Sequence, residues 1–122
     1  MNYKKTFKIC KNRNLSRIFL DKQSLIPFGI TFNDRYDYIM SDKVITIRFN
    51  PNGLKKISGN LFRPIIDIMN KRITEFFKGF KYYECHFMKS GNSIDKDNSD
   101  KIIIRGVNWY EQLWNKRFNA SY

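Results

Sequence analysis

The sequence predicts an α+β protein, a small β-rich barrel built from two tandem β-α-β-β units and followed by a short C-terminal helix. Two observations support this fold class. Residues 41–48 (SDKVITIR) are nearly repeated at residues 99–105 (SDKIIIR), and a polar turn followed by a β-branched run is typical of the second strand of a hairpin. The residues before each copy also follow one order: apolar strand, short helix, turn and tyrosine-containing strand. We therefore predict an internal duplication.

The chain has 122 residues, of which 42% are hydrophobic and 16% aromatic. That length supports one modest core and is too small for two independent ones. We divide the single domain of residues 1–122 by composition and pattern. The divisions are a basic N-terminal arm or strand (1–17), a first unit (18–53), a connector (54–63), a second unit (64–105) and an aromatic C-terminal helix (106–122).

In the first unit, an apolar run at 18–20 precedes Asp21, which is expected to cap a helix of one or two turns that Pro27 ends. Gly29 breaks the chain before a turn at 33–34, and the period-two alternation of residues 36–39 predicts a strand. The polar turn at 41–43 joins it to a second strand. The second unit repeats this order with an apolar strand, a helix capped by Asn70, a tyrosine strand, an expanded loop and a final strand.

This order resembles the AbrB-like swapped-hairpin modules and, more closely, the SymE-like proteins of bacterial chromosomes and mobile elements. In that family a G-[FIL]-x-x-G-D turn leads into a Val/Ile hairpin. The first copy here reads Gly29-Ile30-Thr31-Phe32-Asn33-Asp34, with asparagine in place of the second glycine. The resemblance covers about residues 15–105. It implies a barrel closed by two modules, formed within one chain with a pseudo-two-fold axis or by a homodimer, and a basic barrel face that approaches DNA.

The charge balance is strongly positive, with 23 Lys and Arg against 11 Asp and Glu, a formal net charge of +12. Self-repulsion of this size is commonly offset by a polyanionic partner, of which nucleic acid, DNA or RNA, is the first candidate. A merely lysine-rich surface stays open as an alternative. We expect a cytoplasmic protein with no membrane partner, because no apolar run is long enough to span a bilayer and the N-terminus has no signal-peptide pattern.

The candidate nucleic-acid-binding residues are basic side chains from both units and from the arm and connector. Lysine and arginine contact phosphates, and aromatic rings stack on unpaired bases. Arg48 and Arg105 lie at matching ends of the repeated strands. Two interpretations stay open: the two side chains bind a phosphate together, or they simply lie in solvent at the strand ends. The full set is Lys4, Lys5, Lys8, Lys11, Arg13, Arg17, Arg48, Lys55, Lys56, Lys71, Arg72, Lys78, Lys81 and Arg105.

The aromatic C-terminal helix is open to two interpretations. Trp109, Tyr110 and Trp114 either cap the core or form a partner surface. The second interpretation supports an alternative function, an anti-CRISPR or other anti-defence inhibitor from a phage or mobile element that binds a protein or ribonucleoprotein.

Catalysis is not expected from the residues. Cys85 and His86 face opposite sides of a strand, and the sequence has no P-loop, no G-x-S-x-G motif and no metal-ligand cluster. We therefore predict no catalytic residues, no metal and no cofactor. The resemblance keeps one further alternative open, an RNA-cleaving toxin of the SymE type.

Overall fold

The structure, a computed structural model, describes residues 2–89 and 100–108. Within these ranges the chain forms ten strands and two short helices. The first half contains β1 (Tyr3–Lys8), β2 (Cys10–Asn12), β3 (Leu15–Leu20), α1 (Lys22–Leu25), β4 (Arg35–Met40) and β5 (Ile45–Phe49). The second half contains β6 (Lys55–Lys56), β7 (Ser58–Asn60), β8 (Arg63–Met69), α2 (Lys71–Phe76), β9 (Tyr82–Met88) and β10 (Lys101–Val107).

The described strands form two sheets, and every pair for which a register is defined is antiparallel. The six-stranded sheet has the order β1-β9-β10-β5-β4-β6, and the four-stranded sheet has the order β2-β3-β8-β7. Strands β1 to β5 of the first half correspond in chain order to β6 to β10 of the second half. Exchanging each strand for its counterpart gives the same two orders, read in the opposite direction. The two halves are therefore related by a pseudo-two-fold axis, which passes between β5 and β10 and between β3 and β8.

Each half is larger than the β-α-β-β unit that the sequence predicts. Strands β1 and β2 lie in the segment assigned to an arm, and their counterparts β6 and β7 lie in the segment assigned to a connector. The first strands are also exchanged, because β1 pairs with β9 of the second half and β6 pairs with β4 of the first half. Arm and connector are thus equivalent parts of a β-β-β-α-β-β repeat.

The predicted closed barrel is not confirmed, since the described strands form two open sheets. The chain crosses from one sheet to the other at Ile9, between β1 and β2, and at Ile57, between β6 and β7. At these bends the amides of Ile9 and Ile57 donate to the carbonyl oxygens of Lys81 and Asp34, over 3.0 and 3.3 Å. Each bend ends one ladder and begins another, and among the described residues no ladder joins the edges of the two sheets.

The helices begin where the sequence predicts. The side chain of Asp21 accepts a hydrogen bond from the amide of Gln23, and that of Asn70 accepts one from the amide of Ile73. Such N-caps satisfy amides that the first helical turn leaves unpaired. Helix α1 ends earlier than predicted, at Leu25, two residues before Pro27.

The hydrophobic core lies between the two sheets and the helices. At its centre Phe28 packs against Phe87 and Tyr3, with ring centroids 5.3 and 6.3 Å apart. None of the helices in residues 2–89 and 100–108 is long and apolar enough to cross a membrane. The predicted C-terminal helix beyond Asn108 and the predicted expanded loop at 91–98 lie outside the described residues.

Candidate nucleic-acid interface

The six-stranded sheet has one face towards the core and one face away from it, which we call the outer face. Alternate residues of each strand point to opposite faces, so the phase of each strand follows from its buried residues. Ile45 and Ile47 of β5 and Ile102 and Ile104 of β10 are completely buried. Arg48 and its cross-strand neighbour Lys101 are in the opposite phase and therefore lie on the outer face.

The outer face is dominated by basic side chains from both halves. Two acidic residues, Asp37 and Glu84, lie among the strand residues of this face and occupy equivalent positions on β4 and β9. Seven basic residues surround them, and all but Lys101, which is half-buried, are exposed. They are Lys4 and Lys8 of β1, Arg35 of β4, Arg48 of β5, Lys56 of β6, and Lys101 and Arg105 of β10.

The acid of the second half is buried and paired with an arginine. The Nε of Arg105 donates to Oε1 of Glu84 over 3.0 Å, and the Glu84 side chain is only 5% exposed. The other carboxylate oxygen and the hydroxyl of Thr6, the cross-strand neighbour of Glu84, are buried without a hydrogen-bond partner. Arg105 therefore compensates one buried negative charge while about half of its side chain stays exposed.

The acid of the first half is held by other groups. Asp37 lies opposite Arg48 in the strand register, and its carboxylate accepts hydrogen bonds from the amide of Leu54, over 2.8 Å, and from Nδ2 of Asn50, over 3.2 Å. Both acids of the outer face thus have partners within the fold. The negative charge that they bring to the face is already used in local contacts.

The structure brings five of the predicted binding residues together on this face. They are Lys4, Lys8, Arg48, Lys56 and Arg105. Two further residues of the face, Arg35 and Lys101, were missed by the sequence analysis. The period-two pattern was the available signal, because each of them alternates with a buried neighbour, Tyr36 and Ile102.

Several other predicted residues are placed elsewhere. Arg17 lies on the four-stranded sheet, where its guanidinium makes two hydrogen bonds to Asp67 of 2.8 and 2.7 Å. Lys5 donates to the carbonyl of Gln23 over 3.1 Å. Arg13 is in the turn between β2 and β3, with a positive φ of 53°. Lys55 lies at the sheet edge, its Nζ 5.6 Å from the centroid of the Tyr38 ring.

The remaining predicted basic residues lie mostly in α2 or in the residues that follow it. Lys71 and Arg72 line an open groove of about 520 Å³ together with Asp42 of the β4–β5 turn. Lys78 lines a second, smaller pocket together with Lys11, so that a residue of the predicted arm and a residue that follows α2 face the same pocket. Lys81 immediately precedes β9, and its amide donates to Oδ1 of Asn108. The candidate partner residues Trp109, Tyr110 and Trp114 lie outside the described residues.

Residues with catalytic potential do not converge in the described part of the chain. Cys85 is fully buried on the core side of β9, and this burial raises the pKa of its thiol well above the usual value. His86 is half-buried and points away from it, opposite Lys4 and Ile103. Within residues 2–89 and 100–108, no three His, Cys, Asp or Glu side chains are grouped so that they could hold a metal ion.

Comparison with protein-family models, with curated proteins and with solved structures finds no match to this chain. The fold and the outer face therefore supply the arguments for function.

Proposed function

We propose that this protein binds nucleic acid through the outer face of its six-stranded sheet. The observation that supports this proposal is the concentration of seven basic side chains around two acids that already have partners within the fold. Four of the seven form pseudo-two-fold pairs, Lys8 with Lys56 and Arg48 with Arg105. Each basic residue that neutralises a phosphate releases condensed counterions, and this release is the main source of sequence-independent affinity.

The dimensions of the face suit a stretch of polyanion. Six strands at a spacing of about 4.8 Å give a face about 24 Å wide. A double-stranded segment of that length carries about 14 phosphates, enough to satisfy cations along the whole face. Lys8 and Lys56 occupy equivalent positions on the two edge strands, so both edges present an ammonium group.

The resemblance to SymE-like and AbrB-like proteins supports the same proposal. The family relation is itself part of the proposal, as are a regulatory or toxin–antitoxin role and the closure of a barrel or swapped dimer. An RNA-cleaving activity of the SymE type is a further alternative, which RNA integrity after incubation with the purified protein would test.

The direct test is a titration of labelled duplex DNA, single-stranded DNA and a structured RNA, followed by fluorescence anisotropy at several salt concentrations. We expect binding whose logarithmic affinity falls linearly with the logarithm of salt, with a slope of about −3 to −6 if roughly four to seven phosphates are neutralised. Absence of binding to all three probes at low salt contradicts the proposal.

A protein or ribonucleoprotein partner is the second candidate, as in an anti-defence inhibitor. The observation in its favour is the β7–β8 turn, where Leu61 and Phe62 are 68% and 86% exposed. Such large apolar side chains held in solvent are typical of protein contacts. A pull-down from the native host, with and without nuclease, distinguishes a partner that persists after nuclease treatment from one that depends on nucleic acid.

A further inference from the structure

A pocket lies between the β2–β3 hairpin and the residues that follow α2, and it is separate from the outer face. It has a volume of about 270 Å³ and is lined by Lys11, Lys78, Glu75 and Phe80, among others. We call it the hairpin pocket. Its volume lies just below the range of about 300–1,000 Å³ that is typical of small-ligand sites. The pocket therefore suits a ligand the size of a single nucleotide rather than a helix or a peptide.

The duplication allows this pocket to be compared with its counterpart in the first half. By the strand registers, Lys11 and Ser16 correspond to Gly59 and Pro64. Lys11 and Ser16 both line the hairpin pocket. Glycine and proline at the matching positions carry neither the ammonium group of Lys11 nor the hydroxyl of Ser16. Since both halves adopt the same fold, the fold itself does not require these polar groups, which distinguish the hairpin pocket from the equivalent region of the first half.

The aromatic wall of the pocket differs between the halves in the same way. Gly29 and Gly79 both have a φ of +87°, and the residues that follow them are Ile30 and Phe80. Ile30 is 4% exposed, whereas Phe80 is 41% exposed. A buried aliphatic residue in one half is thus an accessible aromatic ring in the other.

The Phe80 ring is held in place by a glycine. A Cβ added to Gly106 would lie 2.5 Å from the ring, so the ring packs directly on the Gly106 backbone. In the first half the corresponding position is occupied by Phe49. Glycine at this position makes room for the ring, which then offers an aromatic surface at the pocket. Aromatic surfaces of this kind stack on nucleobases and contribute about 1–3 kcal/mol per base.

We infer that the hairpin pocket binds one nucleotide, a nucleoside 5′-monophosphate, which is either free or the terminal unit of a bound strand. Lys11 and Lys78 contact the phosphate, Phe80 stacks on the base, and the carboxylate of Glu75 accepts a hydrogen bond from a ribose hydroxyl, as acidic side chains do in dinucleotide sites. If the ligand is the end of a strand, the inference rests on the proposed nucleic-acid binding. If the ligand is a free nucleotide, the inference does not depend on that proposal.

The test is isothermal titration of the full chain with adenosine 5′-monophosphate, adenosine and inorganic phosphate. We expect the nucleotide to bind at least about ten-fold more tightly than either part, a difference of about 1.4 kcal/mol. The double variant Lys11→Ser/Lys78→Ser changes exposed residues and is expected to remove most of this affinity. The matched control Lys22→Ser/Arg63→Ser removes the same charge at exposed positions outside the pocket and the outer face and is expected to leave nucleotide binding unchanged.

Two further measurements address the base and the sugar. Gly106→Ala displaces the Phe80 ring and is expected to weaken nucleotide binding while leaving phosphate binding as it was. Glu75→Gln is expected to reduce the preference for the ribonucleotide over the 2′-deoxynucleotide. Failure of the nucleotide to bind at millimolar concentration, or equal binding by the Lys11→Ser/Lys78→Ser variant, overturns the inference.

Oligonucleotides identify the source of the nucleotide and separate the two proposals. If the pocket takes a strand end, a 5′-phosphorylated single strand binds more tightly than the unphosphorylated one, and Lys11→Ser/Lys78→Ser removes the difference. If both strands bind equally while the free nucleotide binds, the ligand is a free nucleotide. Nucleotide binding without any oligonucleotide binding overturns the outer-face proposal alone, and the reverse result overturns the pocket alone.

Discussion

Ile103 of β10 lies directly opposite Thr46 of β5, and the two residues occupy the same position in the two halves of the chain. Phe19 and Asp67 have the same relationship at the centre of the four-stranded sheet. These two pairs mark the pseudo-two-fold axis. The strands of the outer face are therefore present twice, and the differences between the copies, such as Arg35 in one half and Tyr82 in the other, lie in the side chains rather than in the fold.

The Arg105–Glu84 pair is expected to contribute to stability. Arg105→Met leaves the carboxylate of Glu84, which is 5% exposed, without its charged partner. We expect the free energy of unfolding to fall by about 1–3 kcal/mol, since a buried group loses its hydrogen bond. The loss should be smaller in the double variant Arg105→Met/Glu84→Gln, which removes the buried charge. Urea denaturation of the wild type, the two single variants and the double variant measures the coupling, and additive effects would show that the pair is not coupled.

Equivalent core positions are expected to respond alike to the same substitution. Ile45 and Ile102 are both completely buried and occupy matching positions on β5 and β10. Ile45→Val and Ile102→Val should each lower the unfolding free energy by about 0.5–1.5 kcal/mol, the usual cost of removing one buried methylene. Denaturation midpoints measured side by side provide the comparison, and a cost found at one position alone would contradict equal packing of the halves.

Stability is expected to fall at alkaline pH. Burial raises the pKa of Tyr36 to about 12, above the value of about 10 for an exposed tyrosine. Between pH 10 and 12 the unfolded chain releases this proton while the folded chain retains it, so unfolding becomes more favourable as pH rises. The contribution of Tyr36 is complete below pH 10, and we expect a loss of about 1–3 kcal/mol by pH 12.

Tyr36→Phe removes one titrating group and should reduce this decline, to which Tyr83 and Cys85 also contribute because burial raises their pKa values. Denaturation at successive pH values measures the change. Tyr82→Phe, at a half-buried position of the outer face, is the control. Equal decline in the wild type and in Tyr36→Phe would rule out this residue as the cause.

Local patterns in the sequence account for the elements that depend on neighbouring residues. The N-caps at Asp21 and Asn70 and the turn before Ile45 were predictable because each is specified within a few positions. Strands β2, β6 and β7 have two or three residues each, which is too short for an alternating pattern. Their existence depends on distant partners, such as the pairing of Lys56 with Arg35.

The same limit applies to the candidate sites. Arg48 and Arg105 could be placed on a common face because the repeated strands share one phase. The presence of Lys11 and Lys78 in one pocket could not be foreseen, because it requires the β2–β3 hairpin and the residues after α2 to lie side by side. Arg17 was included on charge alone, and the sequence gives no sign that Asp67 pairs with it across a sheet.

The measurement that tests the central proposal most directly compares two charge-reversal variants with the same net charge. Lys8→Glu/Lys56→Glu alters equivalent exposed positions at the two edges of the outer face, whereas Lys22→Glu/Arg63→Glu alters exposed positions in and next to the four-stranded sheet. Affinity for a labelled nucleic acid is measured for both at the same salt concentration. We expect the first variant to lose at least about ten-fold more affinity than the second, because only its lysines contact phosphates. Equal losses would show that net charge alone drives binding and would contradict an interface on the outer face.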